Sequence, residues 1–138
     1  MHPINTLYRI AEDYDYDACY DLAKVNGRPP QLLCFPTVVA ERDDEIVGFL
    51  SSNRCSWCIM AGPLEMINPS GITAMRLLEA YENCLHAMGV TRYCFTVANA
   101  NLDGKWLKIV QTFFTVLNKD DSHTLFERIL SEPLQLAA

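Results

Sequence analysis

The stretch of this chain with the clearest capacity for chemistry is Asn68-Pro69-Ser70-Gly71-Ile72-Thr73, a turn that ends an apolar run and opens a long amphipathic segment. The first amides of a helix have no internal partner and sit at the positive end of its dipole, so such a turn can receive a phosphate. The amides of Gly71, Ile72 and Thr73 are the candidates here, and a plain helix cap by Ser70 is the competing use of the same residues. Other constellations are thinner. Cys55-Ser56-Trp57-Cys58 has the spacing of a redox motif or half a zinc site, but no second Cys-x-x-Cys and no histidine pair supplies the remaining ligands. His2, His86 and His123 are scattered, so no histidine metal site is expected. The acidic run Glu12-Asp13-Tyr14-Asp15-Tyr16-Asp17 could draw in an amine or a basic peptide, and it equally fits the acidic first turn of a helix.

Composition narrows the classes. The 138 residues, half of them hydrophobic, suit one domain over residues 1–138 with a real core. A formal charge of −6 argues against nucleic acid, whose binding depends on cationic groups displacing counterions. No apolar run is long enough to cross a membrane, and Met1-His2-Pro3-Ile4-Asn5 has no basic or apolar leader, so a cytoplasmic location with reduced cysteines is expected.

The elements that must position these residues alternate in type. Leu7 to Ile10 reads as a strand, and Asp15 to Val25 has helical spacing closed by Asn26-Gly27 ahead of Arg28-Pro29-Pro30. Thr37 to Glu41 and Glu45 to Ser51 form a hairpin across Arg42-Asp43-Asp44. Strands are expected at Trp57 to Ala61 and Leu64 to Asn68, separated by Gly62-Pro63. From Ile72 to Met88, the residues Met75, Leu78, Tyr81, Leu85 and Met88 repeat at helical spacing, with Arg76, Glu79, Glu82 and Asn83 between them. Then follow a strand at Val90 to Val97, a helix near Lys105 to Gln111, and strands at Phe113 to Leu117 and Leu125 to Leu130. This order predicts a mixed α/β fold with at least one parallel strand pair.

Val38 to Phe49, with its acidic turn and Ile46-Val47-Gly48, together with Ala87-Met88-Gly89-Val90 and Tyr93 to Asn101, resembles the GCN5-related N-acetyltransferases (GNAT). That resemblance implies a central twisted mixed sheet of about six to seven strands flanked by helices. It also implies a sheet that opens beside Leu64 to Asn68, and acetyl-CoA as the cofactor. Residues implied at the coenzyme are Met66, Asn68, Gly71, Ile72, Thr73 and the strand-end Asn101. Glu65 falls where family members often keep a carboxylate base, which could take a proton from an amine, although an outward-facing strand residue is the alternative. Lys108 falls at the position of the usual acid for the departing thiolate. The chain departs from the family at its phosphate loop, since Pro69 runs into Ser70-Gly71-Ile72-Thr73 with one glycine and no basic residue. An N-acetyltransferase acting on an amine or basic protein is the implied function. A catalytically silent member, engaged with protein partners or a second copy, is the other; small proteins with a degenerate form of this fold also resemble accessory and internal virion proteins of tailed phages, for which host cytoplasm or virion would be the location.

Overall fold

A computed structural model describes residues 5–29, 31–54, 58–101 and 111–130. Seven strands form one sheet: β1 (Leu7–Ile10), β2 (Cys34–Arg42), β3 (Glu45–Arg54), β4 (Ile59–Met66), β5 (Arg92–Ala98), β6 (Thr115–Lys119) and β7 (His123–Ile129). They lie in the order β1-β2-β3-β4-β5-β7-β6, and only β4 and β5 run parallel. A parallel pair needs a crossover, and the helix α2 (Gly71–Ala87) supplies it. A helix before it in the chain, α1 (Tyr16–Val25), joins β1 to β2.

Alternation along the central strands assigns a helix to each face of the sheet. Successive strand residues point to opposite faces. Val38, Ala40 and Leu50 accordingly pack with Leu77, Leu78, Tyr81 and Leu85 of α2, whereas their neighbours Val39 and Phe49 pack with Cys19 and Leu22 of α1. Because both faces are covered, these strands read as nearly continuous apolar runs.

The hairpin expected around residues 42–44 is present, with longer strands and a tighter turn. Asp43 and Asp44 have φ of 51° and 63°, so they form a two-residue turn of the type whose twist matches that of paired strands. The strands expected at Trp57 to Ala61 and Leu64 to Asn68 are instead one strand, β4, which passes through Gly62-Pro63 and ends at Met66. Gly and Pro normally punctuate a chain, but here they sit at a register shift against β3, between Leu50 and Ser52, where a bulge bends the strand without ending it. Residues 111–113 are helical, and the rest of the helix expected near Lys105 to Gln111 lies outside the described residues.

α1 ends in a paired-bond cap: the Arg28 amide donates to the Ala23 carbonyl at 3.0 Å and the Gly27 amide to the Lys24 carbonyl at 3.0 Å. Gly27 takes the left-handed position, φ +77°, and a Cβ there would meet no atom within 4 Å. Its substitution therefore costs backbone energy alone. Gly27→Ala is expected to lower stability by about 1–2 kcal/mol in chemical denaturation; an unchanged midpoint would show that the cap is dispensable.

Candidate functional site

Beyond the paired core of the sheet, β4 and β5 come apart. Their described register consists of the single pair Met60↔Cys94, whereas β5 pairs with β7 along its whole length, from Arg92↔Ile129 to Ala98↔His123. Two local features account for the opening. On β4, the bulge at Gly62-Pro63 turns the strand, and Pro63 has no N–H to offer β5. Beyond β5, Asn99 fastens the chain to the β6–β7 turn: its Oδ1 accepts from Thr124 Oγ1 at 2.6 Å, its Nδ2 donates to the Asp120 carbonyl at 2.8 Å, and its backbone N–H donates to the Ser122 carbonyl at 2.8 Å. The far end of β5 is thus held toward β7.

The wedge between the strands is a cleft of about 450 Å³. Ala74 and Leu78 line it from the α2 side, and Arg28, Pro29 and Gln31 line it from the segment after α1, so elements from both faces of the sheet border it. Tyr93, Phe95 and Phe114 form an aromatic wall with T-shaped contacts at 4.7 and 6.3 Å between Phe95 and Phe114 and between Tyr93 and Phe114. Behind that wall, Tyr93 donates to the fully buried Glu82 of α2 at 2.5 Å, and Arg128 of β7 donates to the same carboxylate from Nε at 3.0 Å. Burial first, and the adjacent Glu82 second, hold the Tyr93 hydroxyl protonated well above its ordinary pKa. It therefore acts as a donor that locks β5 to α2.

Glu65 lies on β4 opposite Phe49, on the α1 face of the sheet. It is 4% exposed, because the cap of α1 folds over it. Arg28 donates from Nε to Oε2 at 3.0 Å and to Oε1 at 3.3 Å, while Asn26 Nδ2 reaches Oε1 at 3.5 Å and the Met66 carbonyl at 3.3 Å. The helix stop at Asn26-Gly27-Arg28 is thus also a clamp on the carboxylate. Sequence reading treats these residues only as punctuation; an arginine directly after a left-handed glycine cap was the available signal, since that cap fixes where its side chain starts.

At the start of α2, Ser70 is the cap: its Oγ accepts from the Thr73 amide at 3.4 Å, and its carbonyl accepts from Ala74 at 3.0 Å. Of the three amides proposed for an anion, Thr73 is therefore engaged, and Gly71 and Ile72 remain at the open helix end, both exposed. A Cβ on Gly71 would meet nothing within 4 Å, so the space beside it is open. Met66 closes β4 with its side chain against the α2 core, and Asn68 follows in the bend before α2.

The architecture has clear counterparts among solved structures. PaiA N-acetyltransferase from Thermoplasma acidophilum, in complex with coenzyme A, superposes with a TM-score of 0.69 at 13% identity, covering 91% of this chain and 99% of that one. A probable acetyltransferase from Staphylococcus epidermidis gives 0.72 at 12% identity, over 92% and 100% of the two chains. Diaminobutyrate acetyltransferase EctA from Paenibacillus lautus, in complex with its substrate and coenzyme A, gives 0.64 at 18% identity, over 92% and 96%. This chain has the GNAT fold. No family model matches the sequence, and no curated protein matches it either.

Within that GNAT fold, the remaining expected residues fall as follows. Asn101 closes the short 3-10 turn Asn99–Asn101 after β5, and Lys108 lies outside the described residues. Cys19, Cys84 and Cys94 are buried free thiols, and burial pushes Cys19 up to about 12. The Cys58 Sγ reaches the Met60 sulfur at 3.7 Å, and Cys55 lies outside the described residues. Among the described residues no group of three or more side chains is placed to hold a metal, and no helix is long and apolar enough to cross a membrane.

Proposed function

We propose that this protein is an acetyl-CoA-dependent N-acetyltransferase whose acceptor is an amine. The observation that carries the reading is the β4–β5 wedge, open between two parallel strands after one bridging pair and reached from both faces of the sheet. A narrow chain with amide groups suits such a wedge, because separated strands leave backbone donors and acceptors for an added strand-like ligand. The residues present fit the coenzyme's arm better than its phosphates. Leu64 of β4 with Val97 and Ala98 at the end of β5 would border the arm, while the amides of Gly71 and Ile72 would meet the phosphate end. When bound, acetyl-CoA supplies an acyl group activated as a thioester.

The chain's own contribution lies at the other mouth. Glu65 is a buried carboxylate clamped to the lining residue Arg28, and it serves as acceptor for the proton that an ammonium must release. Oε2 takes the shorter bond from Arg28, at 3.0 Å, and Oε1 the longer ones from Arg28 and Asn26, at 3.3 and 3.5 Å. Lys108 is the candidate donor to the thiolate. The likeness to proteins described as an N-acetyltransferase and a diaminobutyrate acetyltransferase supports the reaction class.

The engaged Thr73 amide and the lack of a basic residue in the turn favour a second reading, a GNAT-fold protein that binds partners without catalysis. Calorimetric titration with coenzyme A separates the two. The transferase reading expects one site per chain, and thiol release from acetyl-CoA that depends on added amine. A folded protein that takes up no coenzyme A would overturn the transferase reading and make the silent one the better of the two.

A further inference from the structure

The guanidinium of Arg28 is held in an unusual way. It meets Glu65 through Nε alone, and neither terminal nitrogen has a partner among the described residues. In the other described ion pairs, those of Arg9, Arg76, Arg92 and Arg128, at least one terminal nitrogen is engaged. The Arg28 side chain is 60% exposed although its carboxylate partner is 4% exposed. One edge of the group is therefore buried in a clamp, and the opposite edge faces outward where Arg28, Pro29 and Gln31 border the cleft. Its backbone is fixed by the α1 cap, so little freedom remains to be lost when a ligand binds.

A guanidinium presents parallel N–H groups that match the two oxygens of a carboxylate, and a charge-assisted pair of this kind is both strong and directional. We propose that Arg28 is the anchor for a carboxylate on the acceptor, so that the amine acetylated belongs to an amino acid or another amine-bearing acid. Glu65 is then also a positioning residue, since it orients the fork through Nε. The inference rests on the transferase reading and narrows its substrate class. At this mouth of an acidic protein, formally −6, the exposed side of the ion pair is the guanidinium, while the carboxylate that offsets its charge is buried beneath it.

The test follows the Arg28 Nε–H resonance in nitrogen-15 spectra of the full chain, assigned by its loss in Arg28→Lys. The probes are N-acetylglycine and N-acetylglycinamide, which differ only in the carboxylate, with coenzyme A titrated separately. The acid is expected to shift the resonance saturably and to bind at least about tenfold more tightly than the amide, and Arg28→Lys to remove most of that preference. Equal responses to acid and amide, or a preference that survives Arg28→Lys, would overturn the proposal. A coenzyme A response at Arg28 that competes with the acid would overturn it too, by giving the anion site to the cofactor. Coenzyme A binding without acid discrimination would sink this inference and leave the transferase reading standing. Acid binding at Arg28 in a protein that takes up no coenzyme A would uphold the carboxylate anchor and overturn the transferase reading alone.

Discussion

Glu82→Ala is expected to destabilise the protein by about 3–5 kcal/mol, the range for removing one partner of a buried ion pair. Glu82 is fully buried in α2 and receives three bonds from Arg128, at 3.0, 3.2 and 3.3 Å, besides the Tyr93 hydroxyl. Truncation would leave a guanidinium that is itself 15% exposed, and a buried phenol, with no acceptor. That penalty, rather than the intrinsic strength of the pair, dominates the loss. The triple substitution Glu82→Leu, Arg128→Leu and Tyr93→Phe removes both charges and the phenol that donates to Glu82, and it should recover most of the stability. Urea unfolding with linear extrapolation measures Glu82→Ala and the combined variant. A loss below about 1 kcal/mol for Glu82→Ala would mean that water reaches the site and that the network does not lock the cleft's aromatic wall.

That network also marks the boundary of what the sequence discloses. The spacing from Ile72 to Met88 gives α2 correctly, yet it places Glu82 with Arg76, Glu79 and Asn83 as residues between the apolar positions. The structure buries Glu82 because Arg128, 46 positions away, arrives from β7 to meet it. The same holds at the site. Glu65 stands out from its strand position, but its partners Asn26 and Arg28 are 39 and 37 positions earlier and belong to a helix cap. Local patterns report capping, turns and facing; long-range pairing of charges leaves no period to read. The hairpin turn at Asp43-Asp44 and the Ser70 cap were legible because each is decided within four residues. The continuity of β4 was not, since Gly62-Pro63 signals a break unless β3 is known to bulge opposite it.

Opposite effects are expected from two substitutions in the turn before α2, if the amides there hold the coenzyme's phosphates. Gly71→Val should weaken coenzyme A binding by about a hundredfold, because a branched side chain would fill the open space beside the Gly71 and Ile72 amides. Two charge-assisted bonds at about 1.5–3 kcal/mol each account for a loss of that order or more. The fold should be unaffected: Gly71 is exposed, its φ is not in the left-handed region, and Ser70 still caps the helix. Ser70→Gly should do the reverse. Glycine is nearly as good a cap as serine, within a few tenths of a kcal/mol, so stability barely changes. The Thr73 amide, now donating to Ser70 Oγ over a long 3.4 Å, would be released to a phosphate, and one added bond to a charged acceptor is worth about tenfold in affinity. Calorimetric titration of the unmodified protein and both variants with coenzyme A reads the three affinities on one scale. If Gly71→Val binds as the unmodified protein does, the phosphates lie elsewhere. If Ser70→Gly weakens binding, the cap is needed to aim the helix end rather than competing for its amides.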